Sequence, residues 1–221
     1  MFTKIWVRRQ TVIATEDDTG RANQKRRTRT AIVGACREII RSGGPVTMPE
    51  VAAAALVSEA TAYRYFPDLV SLVNEALVGM WPGAAEALEP VAESKDPVER
   101  VAFACDFLLR RVLAYQGAVR AMISATIGRS ELAAARPGIR FGLIEEALAP
   151  LLAKSASTDP GALAQLKLDL AAVLSAEALF TLTDLAGVTP ETAIASLVRT
   201  ATTITEAALT TSRTATSRPR R

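Results

Sequence analysis

The chain has 221 residues and a formal net charge of +3, and 49% of it is hydrophobic, enough for a core in one or two small domains. It holds no histidine and only two cysteines, Cys36 and Cys105, each on an apolar helical face. A Cys/His metal site, a histidine base and a Ser-His-Asp triad are thereby excluded, and the thiols read as small buried hydrophobes.

Residues 1–29 carry eight Lys/Arg against three Asp/Glu. Residues 1–23 are polar and aperiodic and are expected to form a disordered basic arm. Lys4, Arg8 and Arg9 leave no apolar stretch for a signal peptide. From Arg27 a helical pattern begins, with Ile32, Ala35, Cys36, Ile39 and Ile40 on one stripe. The glycines and proline of "SGGP" end it. "TMPE" is a capping box, Thr47 at the N-cap and Glu50 three residues on, opening a short helix to about Ala55. Ser58 can cap a third helix over Glu59–Tyr65. A long apolar face follows in "PDLVSLVNEALVGMW", interrupted by Pro82 and Gly83.

The pattern then stays helical. Asp96 and Pro97 start "DPVERVAFACDFLLRRVLAYQ" as cap and first residue. "AVRAMISATIG" is shorter, and "GIRFGLIEEALAPLLA" follows an "RPG" break. Residues 161–187 read as one long helix, apolar on more than one side. Thr189, Pro190 and Thr192 open another over 190–210. No segment reads as a strand with hairpin turns, so the expected fold class is all-α. The best membrane-span candidate, "LAAVLSAEALFTL", is cut by Glu177, and a soluble cytoplasmic protein with no membrane partner is expected. Residues 212–221 hold four arginines and no acid and read as a flexible basic tail. Residues 30–211 hold 14 basic and 20 acidic residues, so basic ends flank an acidic body. That distribution suggests a polyanion reached by tails, or only solubilising termini.

The stretch "VSEATAYRYFPD" gathers Tyr63, Tyr65, Phe66 and Arg64 in a chain that is only 5% aromatic. Two short helices joined by a turn and braced by a preceding helix describe a helix-turn-helix. Ala62 and Phe66 share a face and point toward Ile39, Val51 and Leu72. Ala60, Thr61 and Arg64 lie roughly opposite, with Glu59, Tyr63 and Tyr65 flanking. Small residues allow close approach to base edges, and tyrosine hydroxyls suit phosphates. A purely structural reading, in which both tyrosines pack at the edge of a mini-core, competes with recognition.

At these residues, Arg27 to Leu77, the chain resembles the N-terminal domain of the tetracycline-repressor (TetR) family of one-component transcriptional regulators. The resemblance implies a DNA-binding domain over 24–67 and a helical ligand-binding and dimerisation domain over 68–211. It implies base contacts from Glu59, Ala60, Thr61 and Tyr63, and phosphate contacts from Thr47, Ser58, Tyr63, Arg64 and Tyr65. The partners it implies are double-stranded DNA with a palindromic operator, a small organic ligand, and a second copy paired through 161–187 and 190–210. No cofactor is expected. Two departures stand out. The family's turn glycine is Leu56 here, and a left-handed leucine costs about 1–2 kcal/mol, so an altered turn is expected. The family's lysine at the start of the next helix is Leu69; Arg21, Lys25, Arg26, Arg27 and Arg29 are the candidate replacements, as an arm along the DNA backbone or in the minor groove.

Isolated bulky residues among many alanines, namely Trp81, Phe103, Phe107, Tyr115, Met122, Phe141 and Phe180, either fill the core or line a ligand cavity. Glu145, Asp184 and Arg140 are candidate polar anchors. The ligand is expected to be apolar and organic, or cationic if the acids face inward. Glu145 and Glu146 point about 100° apart on a helix and share no proton-transfer site, so no enzyme is expected. The alternatives are a family-like protein that binds ligand without DNA, or an architectural DNA-binding protein.

Overall fold

The computed structural model describes residues 16–127, 129, 131, 136–152 and 160–216, and among them every regular element is helical. Helix α1 spans Glu16–Ser42. Residues 16–23, expected to be disordered, are therefore helical, while 1–15 lie outside the described residues. The apolar period starts only at Ile32, so the earlier turns carry no burial signal. Local bonds accompany them, from Arg26 to Asn23 Oδ1 (3.0 Å) and from Thr28 Oγ1 to the Gln24 carbonyl (3.1 Å). Gly43, at φ +73°, ends the helix as expected.

Helix α2 (Met48–Ala54) and helix α3 (Glu59–Tyr65) carry the caps read from the sequence. Thr47 Oγ1 accepts from the Glu50 N–H (3.3 Å) and donates to Glu50 Oε2 (2.9 Å). Ser58 Oγ accepts from the Thr61 N–H (3.2 Å) and donates to Thr61 Oγ1 (2.9 Å). The turn between them is not altered. The Val57 N–H reaches the Ala52 carbonyl (3.0 Å) and the Leu56 N–H that of Ala53 (3.1 Å), the paired bonds of a Schellman ending. Leu56 takes the left-handed position itself, at φ +56°. It keeps the glycine geometry and bears the strain, because two backbone bonds hold it there.

Helix α4 (Leu69–Leu77) is capped by Asp68, whose Oδ1 accepts from the Ser71 N–H (2.7 Å). It stops at Val78 and Gly79 (φ +77°), short of Trp81. Ala62, Phe66, Val51 and Leu72 meet Ile32, Cys36 and Ile40 in one core, with Ile39 at its edge. The same core takes Val73 and Ala76 of α4, and also Ala118 and Met122 from further along. Packing therefore does not separate at 67/68.

A short helix α5 (Ala84–Ala87) and a 3-10 turn (Glu89–Val91) lead into α6 (Pro97–Ala114), capped by Asp96. Around α6 lie α7 (Gln116–Thr126), α8 (Ile139–Ala147), α9 (Ala149–Leu152), α10 (Pro160–Val173), α11 (Ala176–Phe180) and α12 (Pro190–Thr216). The single helix expected over 161–187 is broken. Ser175 is extended and caps α11 by accepting from the Ala178 N–H (3.1 Å), and a π-helical stretch, Thr181–Leu185, follows. Helix α12 begins with the Thr189–Thr192 cap and continues to Thr216, so residues 212–216 of the expected tail are helical; 217–221 lie outside the described residues.

Leu109 and Val112 of α6 pack in one core with Leu170 and Leu174, and with Ala193, Ile194, Leu197 and Ala201 of α12. The apolar residues of 161–187 and 190–210, the segments expected to pair two copies, are thus largely used within the chain. Leu197 is only 7% exposed, so a charge there reports on folding rather than assembly. Cys36 and Cys105 are buried, and burial pushes both thiols up to about 12. None of the described helices is long and apolar enough to cross a membrane.

Leu56 is 92% exposed, so its side chain returns little packing for the strain it carries. Leu56→Gly is expected to raise stability by about 1 kcal/mol, the relief of left-handed strain exceeding glycine's entropic cost. A urea midpoint that stays put or falls would show that the turn is not strained.

Candidate nucleic-acid interface and ligand cleft

Helix α3 buries Ala62 and turns Glu59, Ala60, Tyr63 and Arg64 outward; Thr61 and Tyr65 are half-buried. Two grooves border it. One is lined by Arg21, Gln24, Lys25, Arg64 and Tyr65, so the N-terminal turns of α1 bring two cations beside α3. The other is lined by Thr47, Pro49, Tyr63, Leu69, Ile127 and Arg129. The sequence-predicted residues therefore divide, Thr47 and Tyr63 to one groove and Arg64 and Tyr65 to the other. Arg129 shares the groove of Leu69, a placement the sequence did not suggest.

Arg29 does not belong with them. Its guanidinium pairs with both carboxylate oxygens of Glu75, donates to the Tyr65 carbonyl (3.3 Å) and lies 4.4 Å from the Phe66 ring centre. These bonds clamp α1 to α4 and to the end of α3. Arg37 acts similarly, donating to the carbonyls of Ala76 (2.8 Å), Val78 (3.2 Å) and Glu75 (3.4 Å) at the end of α4.

A cleft opens between α4, α6, α7, α8 and the α10–α11 break. It holds about 610 Å³ of empty space with its mouth included. Of the predicted ligand residues, Trp81 and Met122 line it, as does the candidate anchor Arg140. The others are placed elsewhere. Phe107 and Tyr115 surround Arg111, at 5.8 and 5.5 Å from its guanidinium carbon, with Trp81 at 5.9 Å. Phe103 packs at the edge of the core, and Phe141 is exposed beneath Arg140. Glu145 pairs with Lys167 (2.7 Å) on the surface. Phe180 is buried under the Arg120 guanidinium at 3.8 Å, and Asp184 is held by both terminal nitrogens of Arg120 (2.6 and 2.9 Å). Helical spacing assigns these aromatics to faces but does not say which face borders the gap.

Arg136 and Glu177 were missed. Arg136 donates to Thr126 Oγ1 (2.6 Å), Glu177 Oε1 (2.6 Å) and the Ile123 carbonyl (3.4 Å). Arg140 donates to the Ala171 carbonyl (3.3 Å) and stands 3.7 Å from Glu177 Oε2. The buried Trp81 Nε1–H has no partner among the described residues.

No family model and no curated protein matches the chain. Among solved structures, it is similar to a protein assigned to the TetR family of transcriptional regulators, from Mesorhizobium loti MAFF303099. The two are 17% identical with a TM-score of 0.38, over 85% of this chain and 98% of that one.

Arg120 holds the Asp184 carboxyl below its usual range, mainly through their hydrogen bonds, with a smaller contribution from Thr183. A carboxylate lowered on folding contributes stability that is present above its unfolded pKa, about 3.9, and is lost as pH falls through the lower folded value. The stability difference between the native chain and Asp184→Asn should stay constant above about pH 5 and shrink below about pH 4. A difference independent of pH down to unfolding would show that the pair contributes nothing.

Proposed function

We propose that the chain is a sequence-specific DNA-binding transcriptional regulator, acting as a homodimer and released from a palindromic operator by a small molecule in the cleft. The observation that carries this is the outward face of α3. Its helix is capped and held by a Schellman turn, its surface residues are small, charged or hydroxylated, and cations stand in both flanking grooves. In this reading α3 enters the major groove, with the flanking grooves following the two phosphate strands. Arg64, Lys25 and Arg21 serve one strand; Thr47, Tyr63 and Arg129 serve the other. Glu59, at the start of α3, accepts from a cytosine N4 amine, while Ala60 and Thr61 permit close approach.

A two-fold pairing would set two α3 helices about 34–36 Å apart, one DNA turn. The outer side of α10 suits such a pairing, with Leu168 65% exposed and Ala164 and Ala172 on the same face. Half-buried Val198 and Ile204 of α12 adjoin the core from outside. Repression is the simplest regulatory outcome, since a ligand that alters the spacing weakens operator binding. A useful response needs a coupling of about 1–3 kcal/mol.

Binding-site selection from random DNA, followed by gel shifts, tests the reading. Glu59→Ala should relax discrimination at one base pair per half-site by about 1–3 kcal/mol. Tyr63→Phe should weaken binding to every sequence while leaving the preferred motif unchanged. If selection enriches no motif, the chain does not read DNA by sequence; if Glu59→Ala tightens all sequences equally, Glu59 is only a repulsive neighbour.

Assembly is checked separately. Leu168→Asp is expected to convert dimer to monomer in sedimentation and to abolish operator binding with the helical signal intact. A native chain that sediments as a monomer at micromolar concentration would remove the homodimer.

A further inference from the structure

We propose that the cleft takes a small carboxylate with an apolar body, and that its carboxylate displaces Glu177 from Arg136 and Arg140. This rests on reading the chain as a ligand-responsive regulator and names the ligand class of that site.

The walls are apolar, with Leu77, Leu108, Val112, Val119, Ile123 and Ile139. The polar side is made of donors. Two guanidinium groups share the one carboxylate of Glu177. A cationic ligand would meet two arginines balanced by one acid. A neutral alcohol would leave Glu177 in place. Only an anion matches the excess of donors, and the seat already accommodates a carboxylate, that of Glu177.

The three groups also differ in how firmly they are held. The Arg136 and Arg140 side chains are 23% and 28% exposed, and each is tied to its surroundings independently of Glu177. The Glu177 side chain is 44% exposed and lies in the first turn of α11, beside the break at Ser175. It can turn to water while the arginines stay, leaving a preformed bidentate seat. The cleft's 610 Å³, its mouth included, has room for a medium-chain or an arylalkyl carboxylate of about ten or eleven heavy atoms.

The test uses the full chain carrying Trp6→Phe, which leaves Trp81 as the sole tryptophan. Its emission is titrated, without DNA, with octanoate, octan-1-ol and octylamine, and with 3-phenylpropanoate and 3-phenylpropan-1-ol. We expect saturable binding of at least one carboxylate, at least tenfold tighter than its alcohol and than the amine. The better of the two acids distinguishes an aliphatic from an aromatic body. Arg140→Gln should weaken that acid at least tenfold and leave the alcohol unchanged. Because Arg140→Gln also removes a bond to α10, Glu177→Gln serves as the second variant and should tighten the acid severalfold. Neither acid exceeding its alcohol, or an affinity for the acid indifferent to both substitutions, overturns the proposal. Binding of the acid by a chain that reads no DNA would sink the regulator alone; DNA recognition with no preference for the acid would sink this inference alone.

Discussion

Every helix ends with carbonyls that have no partner inside it. A fold built from many short helices multiplies such ends, and here arginines from other elements meet them. Arg29 reaches the end of α3, Arg37 the end of α4 and Arg140 the end of α10. Arg100 is the most buried, at 3% exposure. It donates to Ala147 (3.2 Å) and Glu146 (2.7 Å) at the end of α8 and to Val91 (2.8 Å) and Ala92 (3.1 Å) after the 3-10 turn, besides pairing with Glu146. A cation at a helix C-terminus also opposes the negative end of the dipole. These bonds fix where one helix stops relative to another, which apolar contacts alone leave loose.

The same bonds connect the cleft with α3. Arg136 grips the last turn of α7 through Ile123 and Thr126 while it faces Glu177. At its other end α7 cannot shift freely. A Cβ on Gly117 would stand 2.2 Å from the Gly44 carbonyl oxygen, so the helix lies directly on the loop between α1 and α2. Between the two ends, Ala118 and Met122 pack in the core that holds Phe66 and Ala62. In the proposed regulator, the helix that Arg136 grips thus touches both the loop before α2 and the core under α3. A ligand at Arg136 would act on α3 only if it bound two placements of α7 with different affinity.

Much of this was legible in the sequence, and the rest failed for physical reasons. Caps are local, so Thr47, Ser58, Asp96 and Thr189 could be read from three or four residues each. The pairing of Phe66 with Ala62 followed from helical spacing, which also put Ala60 and Arg64 on the outward side of α3, while Thr61, expected beside them, is half-buried. Leu56 misled because propensity is a weak prior: two backbone bonds outweighed a leucine's reluctance. Ser175 was overlooked because apolar residues on both sides hid a capping residue. Glu177 was noticed, but only as a charge that spoils a membrane span. An isolated acid in an apolar run, with an arginine before the proline of "RPG", was the available sign of the cleft. What no spacing could supply was the pairing of those two across the fold, or the spending of Asp184 and Phe180 on Arg120.

The partition of cations also determines where positive field can act. The stretch 30–211 carries more acids than bases, and within it several arginines are satisfied by carbonyls or carboxylates. A guanidinium committed to a helix end or an ion pair projects little charge outward. Arg29 illustrates this: by sequence it stands with Lys25, Arg26 and Arg27, yet it is bound to Glu75 and Tyr65. The exposed cations of the adjoining turns, with Arg64 beside them, lie along one side of α3. Counterion release depends on charges that can reach phosphates, not on their total number. A chain with net charge +3 can therefore still gather cations beside α3, because its interior arginines are already engaged.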